Sequence, residues 1–364
     1  MDLRDIAKGT PACSGADLED LLNAAALLAA EEPLYSVPVL GDFHYDRLEL
    51  HDEAFIREKY PRDRSQIINY TKASTEFAPL LLDAVAGQVN AGTPFVIQLG
   101  DFTEGLCGSR ELQDRMFRGA IEQVKAKIKV PFLVTKGNHD ITGPGAKESY
   151  RETLLPFLSR ELGRPVDRAD FVVRHDRDAY IFFDSMEPEL DWLEEQLAAN
   201  REARPLFVVT HYPVIPFEYR ADWSLFAKPG REAQRARLFA MLEKADATVL
   251  CGHLHMAAMI EYEGANGTFR QLGENSVMRA AEPRFRNVLE GAGHYTPELA
   301  ESKRSTGAQL EHRKRLFAAA APGVRRFFRA GSEGYLLLKV YADRVDAEYY
   351  NGTNAAPDKV IRVR

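Results

Sequence analysis

The sequence has 364 residues and is 45% hydrophobic and 28% charged, which is typical of a folded globular protein rather than a disordered or collagen-like one. Its formal net charge of −7 argues against binding to long duplex nucleic acid, because such binding requires a basic surface. The three cysteines are scattered and form no CxxC pair, which disfavours a disulfide-stapled secreted fold. No run of about 18 apolar residues predicts a membrane span, and the charged start MDLRD is unlike a signal peptide, so we expect a cytoplasmic protein.

Residues 1–33 are interpreted as an appended helical segment. Ser14 and Asp17 form a capping-box pattern, and the leucines that follow have helical spacing until Pro33, which predicts a helix over residues 14–32. The stretch IAKGTPACSGADLEDLLNAAALLAA resembles part of the lid region of AAA+ membrane-bound proteases. The chain contains neither a Walker A pattern nor an HExxH site, so the resemblance implies no ATPase or zinc-protease activity.

From residue 34 onward, short apolar runs alternate with stretches of helical periodicity. The runs end abruptly in Gly, Asp, Asn or His, and they read YSVPVLGDFH, TPFVIQLGD, VPFLVTKGNHD, RPLFVVTHYP and ATVLCGHLH. They predict strands that are buried on both faces. Helices are predicted between the earlier runs, over residues 73–90, 110–127, 148–161 and 189–199. This alternation indicates an α/β fold, in which ligands bind outside the carboxyl ends of the strands.

The remaining sequence favours one domain over residues 34–364, with a core over 34–280. Residues 284–330 carry ten Lys or Arg and four Glu and are predicted to be a basic, mainly helical insertion. Residues 333–364 are predicted to form a terminal hairpin that turns at 342–344. We expect the loops over 45–70, 215–232 and 284–330 to cap the site.

Nine residues with metal-binding or proton-transfer chemistry follow the five predicted strands. They include five of the nine histidines of the chain, and the full set is Asp42, His44, Asp101, Asn138, His139, Asp140, His211, His253 and His255. Oxygen and nitrogen ligands without thiolate suit Mn, Fe, Zn or Co rather than a structural zinc ion. The set exceeds the needs of one four-coordinate ion, and Asp101 could bridge two. Gly252 is expected to allow a tight turn before the paired histidines.

The ordered motifs resemble those of the calcineurin-like metallophosphoesterase superfamily. They are DxH at Asp42 and His44, GD at Asp101, GNHD from Gly137 to Asp140, the single His211, and GHxH from Gly252 to His255. The resemblance implies a four-layer αββα sandwich of two mixed β-sheets flanked by helices, around two metal ions. By matching motif positions, Asp42, His44 and His255 would bind one ion, Asn138, His211 and His253 would bind the other, and Asp101 would bridge them.

The same resemblance implies a reaction and a substrate class. A metal-bridging hydroxide would attack the phosphorus of a small phosphate ester, and His139, positioned by Asp140, would protonate the leaving group. FTEGLC follows Asp101, without the tyrosine of purple acid phosphatases or the arginine motif of Ser/Thr protein phosphatases. The sequence is therefore similar to the bacterial group that contains cyclic-nucleotide phosphodiesterases and various phosphomonoesterases. A non-catalytic interaction module and a nuclease acting on short nucleic acids remain alternatives, and the sequence leaves the oligomeric state open.

Overall fold

Two β-sheets form the centre of the molecule. The computed structural model describes residues 32–303 and 305–364, so nearly all of the predicted appended segment, with its helix over 14–32, lies outside the described residues. The first sheet contains β1 (Tyr35–Leu40), β2 (Val96–Gln98), β3 (Phe132–Val134), β12 (Gly334–Val340), β13 (Val345–Asn351) and β14 (Lys359–Arg362). Their spatial order is β14-β13-β12-β1-β2-β3. Strands β1, β2 and β3 are parallel to one another, and the last three strands of the chain are antiparallel to their neighbours.

The second sheet has eight strands and is also mixed. It contains β4 (Phe171–His175), β5 (Asp178–Phe182), β6 (Leu206–Val209), β7 (Thr248–Cys251), β8 (Ala257–Gly264), β9 (Gly267–Gly273), β10 (Arg286–Glu290) and β11 (Val324–Gly331). The order is β10-β11-β8-β9-β7-β6-β5-β4. The central strands β5, β6, β7 and β9 are parallel. The carboxyl ends of β6 and β7 therefore lie at the same edge of this sheet.

Helices cover the outer faces of both sheets. They are α1 (Glu53–Lys59), α2 (Arg64–Lys72), α3 (Ala78–Gln88), α4 (Arg110–Lys127), α5 (Ala146–Ser149), α6 (Leu155–Leu162), α7 (Leu190–Ala199), α8 (Glu232–Ala245) and α9 (Gly307–Ala320). One π-helical turn joins α2 to α3, and another joins α5 to α6. The predicted helix over 110–127 has these bounds in the structure, and the one predicted over 73–90 includes the π-helical turn and α3.

The hydrophobic core is divided by the second sheet. Leu250 of β7 packs in the layer between the sheets, together with Val39 and Ile97 of the first sheet. The neighbouring Val249 packs on the opposite face, against Leu242 of α8. Successive residues of a strand point to opposite faces, so a strand with both faces buried reads as a continuous apolar run. The structure thus confirms the predicted four-layer α/β sandwich of two mixed sheets.

The C-terminal third departs from its predicted secondary structure. Within the segment 284–330, residues Gly307–Ala320 are helical, but β10 and β11 belong to the second sheet. Strand β11 buries Val324, Phe327 and Ala330 while pairing with β8, so tertiary pairing overrides the helical tendency of its sequence. The hairpin predicted over 333–364 forms as β12 and β13, with Val340 opposite Val345, and β14 adds a third strand. No helix in the part of the chain that the structure describes has the length and apolar character to cross a bilayer.

Candidate metal centre

The nine predicted site residues come together where the carboxyl ends of five strands meet. Asp42 and His44 follow β1, Asp101 follows β2, and the Asn138–Asp140 stretch follows β3. His211 follows β6, and His253 and His255 follow β7. Because β1 to β3 are parallel in one sheet, and β6 and β7 in the other, the two sheets deliver their polar side chains to a common place.

Asp42, His44 and His255 form the first ligand cluster. The Nε2 atoms of His44 and His255 lie 3.1 Å apart, and the Nε2 atom of His255 lies 3.5 Å from an oxygen of Asp42. One ligand atom from each of the three side chains lies within 4.8 Å of the others. Asp42 and His44 are buried, and His255 is partly exposed.

The second ligand cluster combines His211, His253 and Asn138. The Nε2 atom of His211 lies 3.1 Å from Nδ1 of His253 and 3.2 Å from Oδ1 of Asn138. His211 is fully buried, and His253 is 7% exposed. Two imidazoles and one amide oxygen therefore face one another, with both imidazoles largely shielded from solvent.

Asp101 lies between the two ligand clusters. Its Oδ2 atom is 3.7 Å from Nε2 of His44 and 3.2 Å from Nε2 of His211, whereas its Oδ1 accepts a hydrogen bond of 2.8 Å from the backbone N–H of His139. One carboxylate oxygen is thus shared by the two clusters while the other is fixed by the backbone. This position fits the bridging role implied by the sequence motifs.

The chemistry of the donor atoms fits metal cations. Imidazole nitrogens that face each other at about 3.1 Å need a shared proton or cation between them, because two lone pairs at that distance repel. Burial, reinforced by the neighbouring His211, lowers the pKa of His253 well below its usual range, which keeps that imidazole available as a ligand. Burial opposes ionisation of Asp101, but His211 and His139 outweigh it and hold the pKa of this carboxyl well below its usual range.

The backbone of the site is strained at its ligands. His44, Asp101, His253 and His255 all have positive φ angles, of 45°, 51°, 70° and 54°, a region that residues other than glycine rarely adopt. Each such residue costs on the order of 1 to 3 kcal/mol, and such strain concentrates at functional sites. Each of these four residues follows a buried strand (β1, β2 or β7), which fixes the chain that leads into the strained position.

Glycines allow the ligand loops to pack closely. A Cβ atom on Gly137 would lie 2.0 Å from the backbone nitrogen of Asp101, and one on Gly252 would lie 2.8 Å from Oδ2 of Asp42. Gly252 does not have a positive φ; the left-handed residues after β7 are His253 and His255. A tight turn does begin at Gly252, because the backbone N–H of Leu254 donates a 2.8 Å hydrogen bond to the carbonyl oxygen of Gly252. The glycine is needed there for the space it leaves beside Asp42 rather than for a positive φ.

A layer of hydrogen bonds orients the metal-ligand candidates. Nδ1 of His211 lies 2.8 Å from the carbonyl oxygen of Leu99, and Nδ1 of His44 lies 2.7 Å from Oε2 of Glu104. The ring of His44 also stacks on that of Tyr70, with centroids 4.3 Å apart. Such contacts fix the tautomer and the ring plane, so that Nε2 faces the position of an ion.

His139 is held by Glu104. Nδ1 of His139 lies 2.8 Å from the carbonyl oxygen of Glu104 and 3.2 Å from its Oε2. Burial opposes protonation of the imidazole, but Glu104 and Asp101 raise the pKa of His139 well above its usual range. Burial likewise opposes ionisation of Glu104, yet His139 and His44 lower its pKa to about 2. The two side chains thus form an ion pair at the floor of the site.

Asp140 occupies a different position from the one predicted. Its carboxylate accepts hydrogen bonds from the backbone N–H groups of Thr103 (3.0 Å) and Gly137 (2.9 Å), so it fixes the loops after β2 and β3. Glu104 takes the place expected for Asp140 beside the imidazole. The sequence signal for Glu104 was its position three residues after Asp101, but nothing in the pattern distinguished it from a residue at the rim of the pocket.

A cavity of about 720 Å³ opens over the ligand clusters. Its walls come from α2 (Gln66 and Tyr70), from Ser185–Pro188, from the loop 219–231 and from Arg279. The loops predicted over 45–70 and 215–232 therefore cap the site, whereas no lining residue comes from the described part of 284–330. The segment 284–330 contacts the loop 219–231 instead. Arg313 and Gln309 of α9 bind the carboxylate of Asp222 in that loop.

Comparisons with known proteins identify a family and similar folds. The family model described as calcineurin-like phosphoesterase matches residues 35–257. Among solved structures, a purple acid phosphatase from yellow lupin (Lupinus luteus) has a TM-score of 0.54 at 12% identity, over 90% of this chain and 53% of that one. A structure titled PhoD has a TM-score of 0.51 at 11% identity, over 92% and 69% of the two chains.

A third similar structure is GAP50, described as the anchor in the inner membrane complex of Plasmodium. It has a TM-score of 0.50 at 12% identity, over 91% of this chain and 88% of that one. At such identities the likeness shows the fold alone, and this chain spans about half (53%) of the length of the lupin protein. No curated protein matches the sequence significantly.

Proposed function

Because the chain belongs to the calcineurin-like phosphoesterase family, we propose that it is a metal-dependent hydrolase of small phosphate esters. The observation that carries this proposal is the arrangement of two ligand clusters around one shared carboxylate oxygen of Asp101. Enzymes of this kind bind two metal ions roughly 3.5 to 4 Å apart. Such a pair of ions would bind the phosphate group between them and lower the pKa of a water molecule so that it can attack. Both clusters line or adjoin a cavity large enough for a small organic phosphate.

The ligands divide between two ions. We assign Asp42, His44 and His255 to the first ion and Asn138, His211 and His253 to the second, with Asp101 shared. The set contains only oxygen and nitrogen donors, which suits Mn, Fe, Zn or Co. Cys251, at the end of β7, stays out of the set, because its buried thiol points to the carbonyl oxygen of Leu272 at 3.4 Å.

His139 supplies the proton that the leaving group needs. Its Nδ1 atom is held by Glu104, which leaves Nε2 as the proton donor in a side chain that lines the cavity. The adjacent carboxylate keeps the imidazole protonated until the leaving oxygen takes the proton, as a general acid requires. Glu104 is thus a positioning residue, and Asp140 supports the loop that carries His139.

Hydrolysis of bis-p-nitrophenyl and p-nitrophenyl phosphate tests this proposal and separates diesterase from monoesterase action. We expect chelated protein to be inactive and added Mn²⁺ to restore turnover on at least one of the two esters. The matched control is Lys129→Gln, an exposed residue at the end of α4, which should behave like wild type. Absence of metal-dependent turnover on both esters contradicts the proposal and favours a non-catalytic role, such as the anchor function named for GAP50. Cleavage of short oligonucleotides alone would favour the nuclease alternative.

A further inference from the structure

We propose that the substrate carries two groups besides the phosphate that is cleaved: an aromatic ring that stacks on Trp223, and a second anionic group that binds Lys228 and Arg231. This inference rests on the proposed phosphoesterase function and names the class of ester that the site selects. Its basis is the composition of the cavity wall formed by the loop 219–231, which combines an exposed indole ring with two cations that form no ion pair among the described residues.

Trp223 is an exposed aromatic residue beside the metal centre. It is 43% exposed, and its ring centroid lies 5.2 Å from that of His253, a candidate ligand of the second ion. Among the exposed large apolar residues of the described chain, Trp223 alone lines the cavity over the site. Its position, rather than its exposure alone, is informative, because an indole in the wall of a cavity provides a large flat surface on which an aromatic group can stack.

The indole ring is held in place rather than mobile on its loop. The guanidinium of Arg220 lies 5.0 Å from the ring centroid, and Arg220 is itself fixed by Glu218 and by a 2.7 Å hydrogen bond to the carbonyl oxygen of Leu254. Asp222, which immediately precedes Trp223, accepts a hydrogen bond from Arg313 of α9. A ring fixed in this way provides a preorganised stacking surface, which binds an aromatic group at a low cost in entropy.

The outer part of the cavity is positively charged. Lys228, Arg231 and Arg279 line it, and none of the three forms an ion pair within the part of the chain that the structure describes. The lining carboxylates are Asp101, which belongs to the metal centre, and Asp222, which is neutralised by Arg313. Uncompensated cations beside a phosphate site attract a further negative charge on the ligand.

Lys228 and Arg231 lie on the same loop as Trp223, five and eight residues beyond it. The carbonyl oxygen of Ala227, next to Lys228, accepts a 2.7 Å hydrogen bond from Nε2 of His312, and the guanidinium of Arg231 lies 5.6 Å from the ring centroid of Phe226. Helix α9 thus holds the loop at Asp222 and Ala227, and the Arg231–Phe226 contact lies within the loop itself. Because Trp223, Lys228 and Arg231 line the same cavity as the metal centre, one ligand can contact all of them.

The test is a panel of esters that differ by one group at a time. We would measure phosphate release from phenylpropyl and carboxyphenylpropyl phosphates (the aryl esters) and from propyl and carboxypropyl phosphates (the alkyl esters), or alcohol release from their methyl diesters if the enzyme is a diesterase. All four leaving groups are alkanols of similar acidity, so a difference in rate reports binding of the added group. Wild type should prefer aryl to alkyl esters by about 2- to 12-fold in kcat/KM, the range expected from aromatic stacking. It should also prefer the carboxylated member of each pair, and added salt should weaken this second preference.

Two sets of variants assign the preferences to residues. Trp223→Ala should abolish the aryl preference while Trp223→Phe retains it, and Lys228→Gln combined with Arg231→Gln should abolish the carboxylate preference and leave the aryl preference intact. Lys129→Gln, far along the chain from this loop, should change neither. Two outcomes would overturn the inference and leave the proposed function standing. In the first, wild type turns over the esters with no aryl or carboxylate preference. In the second, the preferences survive both sets of variants. No turnover of any ester in the panel would count against the proposed function itself.

Discussion

Asp101→Asn should lower kcat by about 10³-fold. The change keeps the size of the side chain but removes the charge whose Oδ2 atom faces both His44 and His211. Metal ions contribute several kcal/mol of transition-state stabilisation, and about 1.4 kcal/mol corresponds to a tenfold change in rate. Steady-state kinetics with saturating Mn²⁺, together with the metal content of the purified variant, measure the effect.

Asp170→Asn is the matched control for this substitution. Asp170 is equally a buried carboxylate, but it pairs with Arg168 and accepts a hydrogen bond from the backbone of Asp184, outside both ligand clusters. It should lower thermal stability and leave kcat and metal content close to wild type. Equal losses of activity in the two variants would mean that the effect of Asp101→Asn reflects general destabilisation rather than a shared ligand.

His139→Ala should lower kcat by about 10² to 10⁴, the usual contribution of a positioned general acid. The loss should be greater for alkyl esters than for p-nitrophenyl esters, because p-nitrophenolate leaves readily without a proton. Both metal ions should stay bound, since His139 lies outside the two assigned ligand sets. The same loss for both leaving groups, or loss of metal, would contradict the assigned role.

Glu104→Gln tests how His139 is positioned. Glu104 raises the pKa of His139, and a general acid loses activity as pH rises through its pKa. Neutralising Glu104 lowers that pKa, so the alkaline fall in kcat should begin at a lower pH than in wild type. A uniform loss of activity at every pH, without displacement of the profile, would instead indicate that Glu104 only supports the fold through His44.

The sequence predicted the parts of this structure that depend on local pattern. The apolar runs ending at Asp42, Asp101, Asn138, His211 and His253 became β1, β2, β3, β6 and β7, because strands buried on both faces have to be apolar throughout. That the candidate ligands lie close together could be predicted for the same reason, since parallel strands bring their carboxyl ends together. The superfamily resemblance and the four-layer sandwich are confirmed by the family match and the two mixed sheets.

The features that the sequence did not predict depend on contacts between distant segments. Glu104 contacts His44 and His139 across the site, and the ring of Trp223 lies against that of His253. No periodic pattern in the sequence predicts either contact. The hairpins β4–β5 and β8–β9 were also missed, and β11 was expected to be helical. In each case, pairing with a neighbouring strand determined a structure that local sequence did not specify.

Metal analysis of wild type, His253→Ala and His255→Ala tests the two-ion site most directly. The wild-type protein, loaded with Mn²⁺ and freed of excess metal, should contain two ions per chain. Each variant should lose a different ion. The electron paramagnetic resonance signal of two coupled Mn²⁺ ions should therefore be replaced in each variant by the spectrum of a single ion, and the spectra of the two variants should differ. One ion per wild-type chain, or loss of the same ion in both variants, would contradict the assignment of these paired histidines to separate metals.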